Sequence, residues 1–112
     1  MLRELKGIKR IVVRIGKTDL RRGITGLASV IAAEYHMNPM EKGTIYLFCG
    51  GRRDRIKVLL YEGGGWVLIY VRLSKGSAFQ WPRNDQEARE ITREQYERLL
   101  DGFTLDGTIN KR

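Results

Sequence analysis

Residues 8–15, Ile-Lys-Arg-Ile-Val-Val-Arg-Ile, alternate Ile11, Val13 and Ile15 with Val12 and Arg14. A period of two predicts a strand with one face on a core. Gly16-Lys17 breaks it, and the period then changes. Leu20, Ile24, Leu27, Ile31 and Tyr35 recur at helical spacing, which predicts one helix over residues 19–36 with a single apolar stripe. Thr18-Asp19 supplies side-chain oxygens for its first backbone N–H groups. Gly23 and Gly26 weaken such a helix by about 1 kcal/mol each relative to alanine. Both lie one residue before a stripe position, so close packing against a sheet or a partner is the expected reason for them. His36-Met37-Asn38-Pro39 ends the helix, because the residue before a proline is pushed out of the helical region.

Strand patterns fill the middle of the chain. In Thr44–Cys49, Ile45, Leu47 and Cys49 alternate with Tyr46 and Phe48. Gly50-Gly51-Arg52-Arg53-Asp54-Arg55 reads as a turn carrying three arginines. Ile56–Tyr61 and Trp66–Leu73 read as two more strands joined by Glu62-Gly63-Gly64-Gly65. Connections this short favour an antiparallel meander. A short fifth strand is expected at Ala78–Trp81, stopped by Pro82, with residues 83–91 as a polar connector. Thr92-Arg93-Glu94-Gln95 matches a capping box, with Ile91 and Tyr96 placed to form the hydrophobic staple beside it. Leu99 and Leu100 complete a short apolar face, and Gly102 suits a left-handed cap. The expected fold is α+β: an antiparallel sheet of about five strands, one longer helix packed on it and a short C-terminal helix. Residues 1–103 form one domain in this reading, and 104–112 a frayed tail.

Length and composition narrow the class. A chain of 112 residues, 42% apolar and 30% charged, suits one soluble domain with a modest core. The charged start Met1–Lys6 has no signal-peptide stretch, and no apolar run approaches the ~18 residues of a membrane helix. Cys49 is the single cysteine and His36 the single histidine, so neither a disulfide framework nor a cysteine-rich metal site can be built. A cytoplasmic protein is expected, with Cys49 packing as a small hydrophobe.

The net charge of +8 is unevenly spread: residues 1–83 carry +10 and residues 84–112 carry −2. A basic body suggests a polyanionic partner. Arg52, Arg53, Arg55 and Lys57 crowd one hairpin, and Arg72 and Lys75 fall on and after the next strand. Arg21 and Arg22 fall in the first turn of the expected helix, where the macrodipole disfavours positive charge, which hints at an external anion or an acidic partner. These eight residues are the candidate contacts to nucleic acid, DNA in the first instance, or to a partner protein. The competing reading is a solvated charged rim. Of the aromatics, Tyr46, Phe48, Trp66, Tyr70, Phe79 and Trp81 include candidates for base stacking, though most suit a core.

Catalytic chemistry finds little support. Gly63-Gly64-Gly65 lacks the Lys-Ser/Thr and the following helix of a phosphate loop. Asp19, Asp54, Asp85, Asp101 and Asp106 are scattered, whereas two-metal chemistry needs carboxylates converging on ions ~4 Å apart. No catalytic residue, metal site or cofactor is expected.

Several segments resemble a known family when taken together and in order. They are Thr18-Asp19-Leu20-Arg21-Arg22-Gly23-Ile24, the run from Leu47-Phe48 through Arg52-Arg53-Asp54-Arg55-Ile56-Lys57-Val58-Leu59, and Arg72-Leu73 with Gly76, Phe79 and Trp81-Pro82. Over residues 8–103 the chain resembles the small accessory protein, called TnpB or Orf2, of insertion sequences of the sixty-six type, which is distinct from the RNA-guided nuclease sharing the first name. Val71 and Ser74 depart from the lysine and acid usual around Arg72-Leu73, and Phe48-Cys49-Gly50 replaces a more polar segment. The resemblance implies a bacterial protein that assists DNA transposition beside a separate, larger transposase, which carries the catalytic acids. The leading expectation is an accessory protein contacting nucleic acid or the transposase–DNA assembly. The alternative is a protein-interaction module that docks the transposase without touching nucleic acid.

Overall fold

In a computed structural model of the chain, residues 7–73, 79, 81 and 88–100 are described. Five strands form one sheet: β1 (Arg10–Lys17), β2 (Thr44–Cys49), β3 (Arg55–Tyr61), β4 (Trp66–Arg72) and β5 (Ala88–Ile91). Their spatial order is β4-β3-β2-β1-β5. The meander β2-β3-β4 is antiparallel throughout, as the short connections predict. The sheet as a whole is mixed, correcting the purely antiparallel expectation, because β1 and β2 run parallel. The cause lies between them: a helical crossover carries the chain back to the end where β1 began, and parallel neighbours need such a connection.

That crossover is shorter than its periodicity suggests. Helix α1 spans Ile24–Ser29 and continues as one π-helical stretch, Val30–Glu34. Residues 18–23 form a turn instead of helix. Asp19 does not cap α1, since its carboxylate accepts the Arg21 backbone N–H at 3.0 Å and so closes a local turn. Gly23 is the N-cap, with its carbonyl taking the first helical bond from Leu27 at 3.0 Å. The stripe survives the shorter helix: Leu20, Ile24, Leu27, Ile31 and Tyr35 all pack in one cluster with Val12, Tyr46, Phe48 and Leu59. The helix ends at the expected place, where His36 takes a left-handed conformation (φ 55°) and Met37 N–H reaches back to the Ile31 carbonyl.

The opposite face of the sheet is equally buried. Ile11, Val13, Ile15, Ile45, Leu47, Cys49, Ile56, Val58 and Leu60 pack there against Phe79, Trp81, Tyr96 and Leu99. Trp81 satisfies its buried indole N–H on the Arg14 carbonyl at 2.9 Å. Helix α2 (Arg93–Leu100) begins with the capping box read from the sequence. Thr92 N–H donates to the Gln95 side chain at 2.9 Å and Gln95 N–H to Thr92 Oγ1 at 3.1 Å. Ile91 and Tyr96 are both buried beside it. Every residue of β2 is buried, as a central strand covered on both sides requires.

The fifth strand is misplaced in the sequence reading. Phe79 and Trp81 lie in no strand, while Ala78 and Gln80 fall outside the described residues. Ala88–Ile91, inside the expected polar connector, pairs antiparallel with β1. Its sequence, Ala-Arg-Glu-Ile, has weak strand propensity, and pairing along an open sheet edge overrides it. Arg10 fixes the pairing from β1, bonding Glu90 on β5 and Glu41 before β2 at 2.8–3.2 Å. The Gly63-Gly64-Gly65 segment is a hairpin turn, as expected, with Gly63 left-handed (φ 87°) and Glu62 N–H on the Gly65 carbonyl. Gly102 and the tail 104–112 lie outside the described residues.

Burial on both faces generates a paired prediction. Leu27, under α1, and Leu99, on α2, are both fully buried. Each change to alanine is expected to cost about 2–5 kcal/mol, read from the midpoint and slope of urea unfolding. A loss at Leu27 alone would contradict the second covered face.

A basic cleft as candidate functional site

The C-terminal ends of the parallel pair β1 and β2 open into turns on the α1 side of the sheet. Residues 18–22 leave β1, and residues 50–54 leave β2 to enter β3. Between these turns and the exposed end of the β3–β4 hairpin lies an open cleft of about 1000 Å³. Its lining includes Lys17, Asp19, Leu20, Arg21, Arg52, Asp54, Arg55, Lys57, Leu68 and Tyr70. Gly50 permits the close meeting of the two turns, since a Cβ there would stand 3.3 Å from Leu20 Cδ1.

Four of the eight candidate residues, Arg21, Arg52, Arg55 and Lys57, therefore converge. Arg72 is next to the cleft in the sheet without lining it. It is directly opposite Arg55 in the β3–β4 ladder, and Tyr70 is directly opposite Lys57. By strand alternation, all four project from the sheet face that carries α1. Arg22 is exposed and does not line the cleft, but its carbonyl accepts a 2.9 Å bond from Lys57 Nζ. Arg53 does not line it either, and Lys75 lies outside the described residues.

The charges are unequally compensated. Asp19 holds Arg21 through three bonds, Nε to Oδ1 at 3.0 Å and to Oδ2 at 3.3 Å, and Nη2 to Oδ2 at 2.9 Å. These bonds, with the Arg21 backbone N–H, lower the Asp19 carboxyl from its ordinary value to about 2. The pairing removes the reason given for an external anion at Arg21. The residue precedes the helix, away from its first turn, and its charge already has a partner. Asp54 faces Arg55, with Oδ1 3.6 Å from Nε, beyond hydrogen-bond length; neither of these two buried atoms has a hydrogen-bond partner among the described residues. Arg52 and Arg72 are exposed and have no acidic partner among the described residues.

The backbone of the arginine turn also has a structural part. Arg53 adopts a left-handed conformation (φ 61°). Its carbonyl accepts from Phe79 N–H at 2.6 Å, and the Asp54 carbonyl accepts from Leu73 N–H at 2.7 Å. The turn thus anchors the chain that follows β4. The aromatics divide sharply: Tyr46, Phe48, Phe79 and Trp81 are core, whereas Tyr70 is 49% exposed. Its ring centroid lies 6.0 Å from Lys57 Nζ.

Two contributors escaped the sequence reading. Lys17, read only as a strand breaker, lines the cleft. Arg14, on the α1-side face of β1 with Val12, ties the first turn to the helix. It bonds the Tyr35 hydroxyl, the Lys17 carbonyl and Thr18 Oγ1 at 3.0 Å, and Glu34 at 3.2 Å. A long charged side chain among apolar strand positions was the available signal. Among the described residues, no group of three or more histidine, cysteine, aspartate or glutamate side chains is placed to hold a metal ion. No helix among them is long and apolar enough to cross a membrane.

The family described as "IS66 Orf2 like protein" matches residues 9–109. The chain is 32% identical over 94 residues to the uncharacterized protein y4hO of Sinorhizobium fredii, covering 84% of this chain and 80% of that protein. It is 31% identical over 103 residues to the uncharacterized protein y4jC of the same organism, covering 92% and 85%. No solved structure matches.

The Asp19–Arg21 pair has a definite pH signature. The carboxylate is the charged partner and its pKa is depressed, so any stability it contributes is present above the unfolded value near 3.8. That contribution is lost as pH falls through about 2. Carboxyl carbon shifts followed by NMR should show Asp19 titrating well below an unpaired aspartate, and Arg21→Gln should move it back towards the ordinary value.

Proposed function

The chain belongs to the IS66 Orf2-like family, and on that premise we propose that it is a non-catalytic accessory protein of DNA transposition that binds nucleic acid through the basic cleft. One observation carries this reading: Arg55 and Arg72 are directly opposed across an antiparallel ladder. Like charges in that position repel. Lys57 and Arg52 stand beside them, and among the described residues Asp54 is the one acid of the cleft facing this group. A phosphate backbone lowers the repulsion and supplies affinity through counterion release. The cellular setting is the bacterial cytoplasm, with the separate transposase as the second partner.

Arg52 and Arg72 are the residues to vary, because both are exposed and neither holds the turn in place. Replacing both with glutamine should leave the thermal melt unchanged. If each touches one phosphate, the slope of log affinity against log salt should flatten by about 1.4–1.8. An unchanged slope in the folded variant removes these residues from the interface. Loss of transposase binding in that same variant would favour protein docking instead.

The non-catalytic reading has its own test. Purified protein incubated with DNA and Mg²⁺ or Mn²⁺ should neither cut nor join strands. Metal-dependent cleavage abolished by Asp54→Asn would make it a nuclease.

A further inference from the structure

Building on the nucleic-acid reading of the cleft, we infer that its ligand is an unpaired strand, one of whose bases stacks on Tyr70. The wall of the cleft offers more than charge. Tyr70 is half exposed, a large aromatic ring left out of both cores, while Phe48 and Leu59 on the same face are fully buried. Leu20 and Leu68 give the site an apolar floor. Lys57 Nζ, from the neighbouring strand, lies over the ring at 6.0 Å from its centroid. Arg55 and Arg72 occupy the next pair of positions along the same face. The ladder therefore places a stacking surface one step away from a cationic pair, the alternation that a strand of bases and phosphates presents.

A duplex fits this arrangement poorly. Its outer surface is convex and its base faces are hidden in the stack. An element entering the major groove has to project from the protein. Here the ring and the apolar floor line a recess, and phosphate contacts at the rim are all that a duplex can use. Single-strand sites combine a basic groove with aromatic rings that accept any base face. The volume of about 1000 Å³ is at the upper end of that of ordinary ligand pockets. It accommodates a short unpaired segment, such as a loop, a frayed end or a displaced strand.

The test uses the full chain and a fluorescently labelled oligonucleotide of mixed sequence, presented once as a single strand and once annealed to its complement. The wild-type protein should bind the single strand more tightly. Tyr70→Leu should weaken single-strand binding by about 5- to 150-fold. The salt slope should stay where it is, because no phosphate contact is removed. Tyr70→Phe keeps the ring and should retain most of the affinity, which separates stacking from loss of the hydroxyl. Circular-dichroism melts check that each variant is folded. Equal or tighter binding of the duplex, with Tyr70→Leu unaffected, overturns the single-strand inference. If in that case Arg52→Gln with Arg72→Gln still flattens the salt slope, the nucleic-acid reading stands without it. Absence of binding to either form at low salt removes both.

Discussion

Central strand β2 buries six consecutive residues, and this constrains the rest of the molecule. A strand with one wet face can lie on a single layer of cover. One with both faces dry needs an apolar layer on each side and a hydrogen-bonded neighbour along each edge. The chain supplies the neighbours as β1 and β3. It supplies one cover as α1 with its π-helical continuation, the other as α2 with Phe79 and Trp81. Because α1 must cross from β1 to β2 over one face, β1 and β2 become parallel. Their C-terminal ends then meet at one end of the sheet, and the turns that leave them form two walls of the cleft. The position of the candidate site follows from the burial of β2.

Much of this was readable from periodicity. The four principal strands, the meander, the apolar stripe from Leu20 to Tyr35 and the capping box at Thr92 and Gln95 are local patterns, and the structure contains them. The failures are nonlocal. The order strand, helix, strand over residues 10–49 is itself the sign of a parallel pair, but short downstream connections suggested antiparallel pairing everywhere. Strand β5 carries little pattern of its own and exists because β1 has an edge to pair. The start of α1 moved from Thr18 to Gly23 because Asp19 found a nearer partner in Arg21 than in the helix N-terminus. Likewise, composition identified the cations near the cleft but not their roles. Only the fold distinguishes Arg21, paired with Asp19, from Arg72, which faces another arginine.

The late start of α1 also bears on the site. Had residues 18–23 joined the helix, Leu20 and Arg21 would have continued its helical repeat and the first wall of the cleft would be absent. Arg14 helps hold the alternative. Its guanidinium bonds both the Lys17 carbonyl and Thr18 Oγ1 as the chain leaves β1, and Tyr35 and Glu34 at the far end of the helical segment. A single partly buried side chain thus fixes the turn relative to the helix that covers the sheet.

Local costs gather at this same end of the sheet. Arg53 is left-handed without being glycine, Arg55 opposes Arg72, and buried polar atoms of Asp54 and Arg55 face each other without a hydrogen bond. Each is unfavourable by itself, and such outliers persist only where the surrounding structure holds them. Here the backbone bonds from Phe79 and Leu73 to the turn do the holding. Packing of the core does not require the opposed arginines, since both lie outside the two buried clusters. A fold that needs the turn but not its charges can be varied at Arg52 and Arg72 without being lost. That separation lets the binding proposed for the cleft and its contribution to stability be measured apart.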